Sequence, residues 1–178
     1  MRDTTDRRIV KTKFAIRESL LEIMKQKNCN EITVSELCRS ANIGRGTFYL
    51  HYNDVYEVVQ EIEEEILEFF RNTAFLYFED ENTKNFRAML RACLEWILQN
   101  ENLSLVFLFS PKAEFADRFT NYAIELFYYH SLKYHPKKTS AENRYSTIKV
   151  FSGYWGAIKS WLEDGHSISL DTLLDFLI

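Results

Sequence analysis

Glycine and proline are scarce in this chain. Its 178 residues include five glycines and two prolines, so few positions force a turn and long stretches can run as uninterrupted periodic segments. Cysteine is scarce as well. Cys29, Cys38 and Cys93 are odd in number and lack metal-ligand spacing, which argues against a disulfide framework or a zinc site and fits a reduced, cytosolic protein. No apolar run approaches the roughly 18 residues that a membrane span requires. The opening MRDTTDRR is charged and no apolar core follows it, unlike a signal peptide. Also missing are a phosphate-cradling glycine loop, a G-x-S-x-G elbow and an H-E-x-x-H pair. His51, His130, His135 and His166 are scattered. Neither an enzyme nor a bound metal or cofactor is expected.

What is present is apolar and periodic. Hydrophobic residues make up 46% and aromatics 15%, too much apolar content for a disordered chain. With so few breakers, the class is all-α. The net charge of −4 is unevenly spread. Residues 1–52 hold ten lysines and arginines against six acids, a surplus of four positive charges; residues 53–178 hold twelve against twenty, a deficit of eight. A positive head on an acidic body is the asymmetry expected when one end meets phosphate.

The chain is organised around Ile32–Val58. Thr33 and Glu36 have capping-box spacing, which starts a helix at about Val34. Val34, Leu37, Cys38 and Ala41 then share one apolar face. Asn42 breaks the pattern, and Gly44 is expected to supply the permissive backbone of the turn. A second helix is expected from Arg45 to about Tyr52, with Phe48 and Tyr52 inward. Asp54 and Glu57 form another cap pair. Helix, short turn and helix with an outward Arg/Thr/Tyr/His face is how a helix-turn-helix presents a recognition helix to the major groove; a helical pair inside any α-domain is the plain alternative.

Side-chain chemistry assigns the roles. Arg45 can donate bidentately to guanine O6 and N7. Thr47 and Tyr49 can reach a phosphate or a base edge, and His51 can donate to phosphate. Thr33 and Ser35, at a helix N-terminus, can bind phosphate with the free N–H groups there. The first helix, from about residue 5 or 7 to 27, opens on a cation cluster whose Arg8, Lys11 and Lys13 are candidates for phosphate contact. Its stripe runs through Val10, Phe14, Arg17, Leu21 and Met24, widened by Leu20 and Ile23.

Ile32, Thr33, Val34, Leu37, Ala41, Ile43, Gly46, Thr47, Phe48, Tyr49, His51 and Tyr52 together form an ordered pattern that resembles the N-terminal signature of TetR/AcrR-family transcriptional regulators. The resemblance implies similar DNA-facing tasks at these positions, Gly46 included. It implies a three-helix DNA-binding domain, residues 1–53, ahead of a helical dimerisation and effector-binding domain, residues 54–178. One position departs from the family: Val55 stands where a phosphate-contacting lysine is usual.

In the body, a helix is expected after Asp54 to about Phe78, with Val58, Ile62, Glu65 or Ile66, Phe69 and Phe70 inward and Glu57, Glu61, Glu63, Glu64, Glu65 and Glu68 as a solvated acidic face. A polar loop (79–85), a helix at 86–99, and a short buried helix or strand at 103–109 follow. Then come a helix at 112–134, a loop at 135–140, a helix at 141–163 ended by Gly165, and a last helix opened by Ser169 or Asp171. An apolar or aromatic effector is implied by the resemblance, with Trp96, Phe107, Phe115, Phe119, Tyr122 and Tyr154 as candidate pocket residues; an aromatic stripe at this spacing can equally be plain core. Each glycine inside a helix costs about 1 kcal/mol against alanine, so Gly153 and Gly156, with the small Ser152 and Ala157 beside them and Ser160 one turn on, suggest close approach of another backbone. TetR-like proteins dimerise through their last two long helices, which makes these residues candidates for a homodimer interface; an intrachain helix crossing is the alternative. The function implied is a cytosolic, homodimeric repressor that binds a palindromic operator in double-stranded DNA and loses affinity when an effector binds. The competing reading is a TetR-like module acting through a protein partner.

Overall fold

The computed structural model describes residues 3–78, 83–110, 114–134 and 139–178, and these are all-α, without a strand. The helices are α1 (Asp3–Met24), α2 (Val34–Ser40), α3 (Arg45–Tyr49), α4 (Val55–Phe78), α5 (Thr83–Gln99), α6 (Glu101–Phe107), α7 (Glu114–Tyr134), α8 (Ser140–Glu163) and α9 (Leu170–Leu177), with a 3₁₀ turn at Cys29–Glu31. A single apolar cluster runs from Ile16 in α1 to Leu177 in α9.

In α1 the row that enters the core is Ile16, Leu20 and Met24, joined by Leu21. Val10 and Phe14 remain 61% and 63% exposed, so the stripe expected through them is overturned. At about 100° per residue they lie beside the buried row rather than on it; of the expected stripe, Leu21 and Met24 are buried. Helix α4 follows its expected register: Val58, Ile62 and Ile66 are fully buried at i, i+4 and i+8. Its acidic face is not merely solvated. Glu61 pairs with Lys13 at 2.7 Å, Glu65 with Arg17 at 2.6 Å and Glu63 with Arg118 at 2.8 Å. The α4 carboxylates therefore bind it to α1 on one side and α7 on the other.

Helix α5 begins at Thr83, earlier than the expected Phe86; residues 79–82 of the expected loop lie outside the described residues. The apolar run 103–109 is no strand: it is helical to Phe107 and leaves the helix at Leu108, and Leu103, Val106, Phe107, Leu108 and Phe109 are buried. Helices α7 and α8 pack on each other, and α9 packs on α5. Thr139 starts α8 with a full capping box, its hydroxyl taking the Glu142 N–H at 3.2 Å while Glu142 returns to the Thr139 N–H at 2.7 Å. Residues 135–138 of the expected loop lie outside the described residues. After α8 the chain turns through Gly165 (φ 74°) and His166 (φ 64°). The Trp161 indole N–H donates to the Ile168 carbonyl at 2.8 Å across that turn. Ser169 rather than Asp171 caps α9, accepting the Thr172 N–H at 3.1 Å.

Candidate nucleic-acid interface

Thr33 caps α2: its hydroxyl oxygen accepts the Glu36 N–H at 3.2 Å. The expected return bond from Glu36 is replaced by an ion pair with Lys27 at 2.6 Å, which also holds the Glu36 carboxyl below its usual range. Leu37 and Cys38 are buried. The turn between α2 and α3 corrects a second expectation. Its left-handed residue is Asn42 (φ 53°), whereas Gly44 is extended (φ −74°, ψ 150°) and serves as the N-cap of α3. Asparagine is among the few non-glycine residues that tolerate this backbone, so no glycine is needed there.

Helix α3 is one and a half turns long, ending at Tyr49 instead of Tyr52, because the Phe48 carbonyl takes both the His51 N–H (2.9 Å) and the Tyr52 N–H (3.0 Å) and closes the helix. Phe48 is wholly buried, Tyr52 is 2% exposed, and their rings lie 5.8 Å apart. Together they fix which way α3 faces. Arg45 is exposed in its first turn, Tyr49 is 56% exposed with its ring edge against Phe48, and Thr47 and His51 are half-buried. The surface so formed carries a guanidinium, a phenol, a hydroxyl and an imidazole. These are donors of the kinds that read base edges and phosphates.

The flanking candidates divide. Arg8 and Lys11 are exposed on α1, and no acid pairs with either among the described residues. Lys13 is engaged inside the protein: besides Glu61, it lies 5.0 Å from the centre of the Tyr52 ring. Tyr52 in turn donates its hydroxyl to Glu61 at 3.2 Å, and burial against that carboxylate pushes its own proton affinity well above the usual tyrosine range. Lys13 is thus a brace between α1, α4 and the segment that follows α3. Ser35 is half-buried in the first turn of α2. Val55 is 4% exposed and part of the core, so no cation stands at the first position of α4; the exposed side chain there is Tyr56. Sequence reasoning missed Arg39, exposed in the last turn of α2. Its position opposite the buried Leu37–Cys38 pair was the available signal.

The six pocket candidates scatter. Phe119, Tyr122 and Tyr154 line a body cavity of about 70 Å³ with Phe70, Cys93 and Trp155, and its walls are almost wholly apolar. Burial pushes the Cys93 thiol up to about 12. Trp96 instead stacks on Phe69 at 4.8 Å as ordinary core. Phe107 and Phe115 floor a different space, an open cleft of about 680 Å³ bounded by Cys29, Tyr56, Glu63, Glu114 and Arg118. The dimer candidates cluster: Ser152, Gly153, Gly156 and Ser160 are all exposed on α8, and among the described residues no other element or side chain comes within 4 Å of where a Cβ on either glycine would stand. An intrachain helix crossing is therefore not what these glycines serve. Among the described residues no group of three metal-ligating side chains occurs, and no helix is long and apolar enough to cross a membrane.

An all-α chain whose second and third helices form a helix-turn-helix, with a helical body behind it, defines the class. Its fold is that of the TetR/AcrR-family regulators. A TetR transcriptional regulator from Streptococcus agalactiae superposes with a TM-score of 0.64 at 24% identity, covering 97% of this chain and 94% of that one. FadR from Bacillus subtilis, solved in complex with stearoyl-CoA, superposes with a TM-score of 0.62 at 12% identity, covering 93% and 97%. The HTH-type transcriptional regulator YxbF of Bacillus subtilis is 30% identical over 53 residues, which is 30% of this chain; the chain spans 14% of that relative's length. No family model matches the chain.

Proposed function

We propose that this protein is a homodimeric transcriptional repressor. Residues 1–53 read a palindromic operator in double-stranded DNA, and residues 54–178 dimerise and respond to a small apolar or aromatic molecule. The observation that carries the reading is the presentation of α3. Phe48 and Tyr52 pin one side of it in the core, leaving Arg45, Thr47 and Tyr49 turned outward, on a fold shared with DNA-binding regulators. Arg8 and Lys11 on α1 add exposed cations that pair with no acid among the described residues.

The exposed α8 face of Ser152, Gly153, Gly156 and Ser160 is the proposed dimer contact. Small residues there allow two helices to approach closely, which offsets the cost of glycine inside a helix. The apolar cavity supports an apolar effector, and the stearoyl-CoA bound by FadR is an example of an acyl ligand in this fold. At about 70 Å³ the cavity falls far short of the roughly 300–1,000 Å³ of a typical ligand site, so a ligand enters only by displacing the aromatic walls. Phe70 of α4 is one of those walls, and α4 carries Glu61 and Glu65, which hold α1. Displacement of α4 is thus passed to the reading head, and the coupling is the difference in DNA affinity between the two α4 positions.

The test is selection of duplexes from a random-sequence pool by the full chain. Enrichment of two inverted half-sites about one helical turn apart is the expected result. A pool that stays random after repeated rounds contradicts a DNA-reading function.

A further inference from the structure

We propose that Leu50, which stands outside the hydrogen-bonding set of the recognition surface, is the residue that reads thymine, packing its side chain on the thymine C5-methyl group in the major groove. The proposal rests on the DNA-reading function above and names what one of its positions recognises. Leu50 is 80% exposed, more than any other large apolar side chain described. A single exposed leucine would by itself need no explanation; its direction does. Its backbone is still helical (φ −74°, ψ −16°), so at about 100° per residue it lies about 160° around α3 from Phe48, which is fully buried. Whatever surface α3 is offered to, Leu50 meets it head-on.

The turn before Leu50 leaves the same side of the helix open. Gly46 is one helical turn back on the same side, and a Cβ there would have nothing within 4 Å. The outward line of α3 is therefore bare backbone followed by one protruding isobutyl group, flanked by Thr47 and Tyr49. Bare backbone lets the helix come close to base edges, and closeness is what a short aliphatic side chain needs in order to touch a base. Leucine can neither donate nor accept a hydrogen bond, and phosphate offers it nothing. Among the groups that unmodified bases present in the major groove, the thymine methyl is the one whose burial against leucine is favourable.

The test uses the duplex enriched by the full-length chain, resynthesised with deoxyuridine in place of one thymine at a time, so that only the methyl is lost. Affinities are measured by fluorescence anisotropy for the unsubstituted protein and for Leu50→Ala. At one thymine in each half-site, uracil is expected to weaken the unsubstituted protein roughly four- to fivefold, as expected for one buried methyl. Leu50→Ala should bind the thymine duplex about that much more weakly and lose nothing further on uracil substitution there; Leu50→Met should keep the preference. A matching thermal midpoint for Leu50→Ala verifies that its fold is intact. The proposal is overturned if no thymine distinguishes the unsubstituted protein from Leu50→Ala, while salt-dependent, sequence-selective binding persists. If the unsubstituted protein enriches no sequence at all, the DNA-reading function itself fails, and this proposal with it.

Discussion

The ammonium of Lys13 lies 2.7 Å from the carboxylate of Glu61, joining α1 to α4. The same carboxylate receives the hydroxyl of Tyr52, whose ring lies under Lys13. Helix α1, helix α4 and the segment after α3 thus meet at one acid, and a cation that the sequence offers for phosphate is spent on internal structure. Lys13→Met is expected to lower stability by about 0.5–1 kcal/mol, the range of a half-exposed ion pair, in urea denaturation, and to leave the salt dependence of DNA binding unchanged. Arg8→Ala or Lys11→Ala should do the reverse, each reducing the slope of log K against log salt by about 0.9 with no shift in the urea midpoint. A full slope loss for Lys13→Met would show that the lysine leaves Glu61 to meet DNA.

At the turn of the helix-turn-helix, the strained residue is Asn42, at φ 53°. A β-branched side chain is strongly disfavoured there, so Asn42→Val is expected to destabilise by roughly 1–2 kcal/mol. Asn42→Gly should be neutral or slightly stabilising. Gly44, at φ −74° and with only the Thr47 hydroxyl 4.0 Å from a prospective Cβ, should accept alanine with little loss. Thermal unfolding of the three variants ranks them; an intolerant Gly44→Ala beside a tolerant Asn42→Val would reverse the assignment.

Burial holds the Cys93 thiol protonated up to about 12, against a usual value of 9.0. In the unfolded chain the thiol gives up its proton near its usual value, so between pH 9 and 12 the folded state binds more protons and stability falls as pH rises. Below pH 9 this group contributes no pH dependence. Urea midpoints measured at pH 8, 10 and 11 should fall more steeply for the unsubstituted protein than for Cys93→Ala. Parallel curves would mean that the thiol meets water.

Gly153 and Gly156 lie open on α8 in the single chain. Gly156→Arg is therefore expected to leave the helical fold intact, since nothing within the chain is struck, and to prevent dimerisation. Analytical ultracentrifugation should show a monomer with unchanged far-ultraviolet circular dichroism. A dimer that persists would move the interface off this face.

Much of the helical plan is legible in the sequence, because it depends on local rules: a cap at Thr33 and one at Ser169, a stop at Gly165, and the i, i+4 row of Val58, Ile62 and Ile66; Thr139, which caps α8, falls in the stretch expected as a loop. The outward-facing set on α3 follows from the inward pair Phe48 and Tyr52 by the same periodicity. What could not be read depends on partners distant in sequence. Val10 and Phe14 look like core until the neighbours of α1 are known. Lys13 and Arg17 look free until Glu61 and Glu65 are brought across from α4, and Arg118 likewise until it meets Glu63. The aromatic surplus of the body does not reveal which rings wall a cavity: Trp96 and Phe119 are both large aromatics on helical apolar faces, and only packing puts one against Phe69 and the other on a void. Leu50 carries no hydrogen-bonding group, so its sequence position gives no sign of contact with DNA.

The most direct test of the central claim is the affinity of the full chain for its enriched duplex and for a scrambled duplex, followed by anisotropy from 50 to 300 mM salt with Arg45→Ala alongside. The account predicts tight binding to the enriched duplex that weakens steeply with salt. It also predicts that Arg45→Ala loses selectivity by about 1–3 kcal/mol, while its residual binding keeps a similar salt slope. Equal, weak binding to both duplexes at every salt concentration, unaltered by Arg45→Ala, would contradict a DNA-reading function for α3.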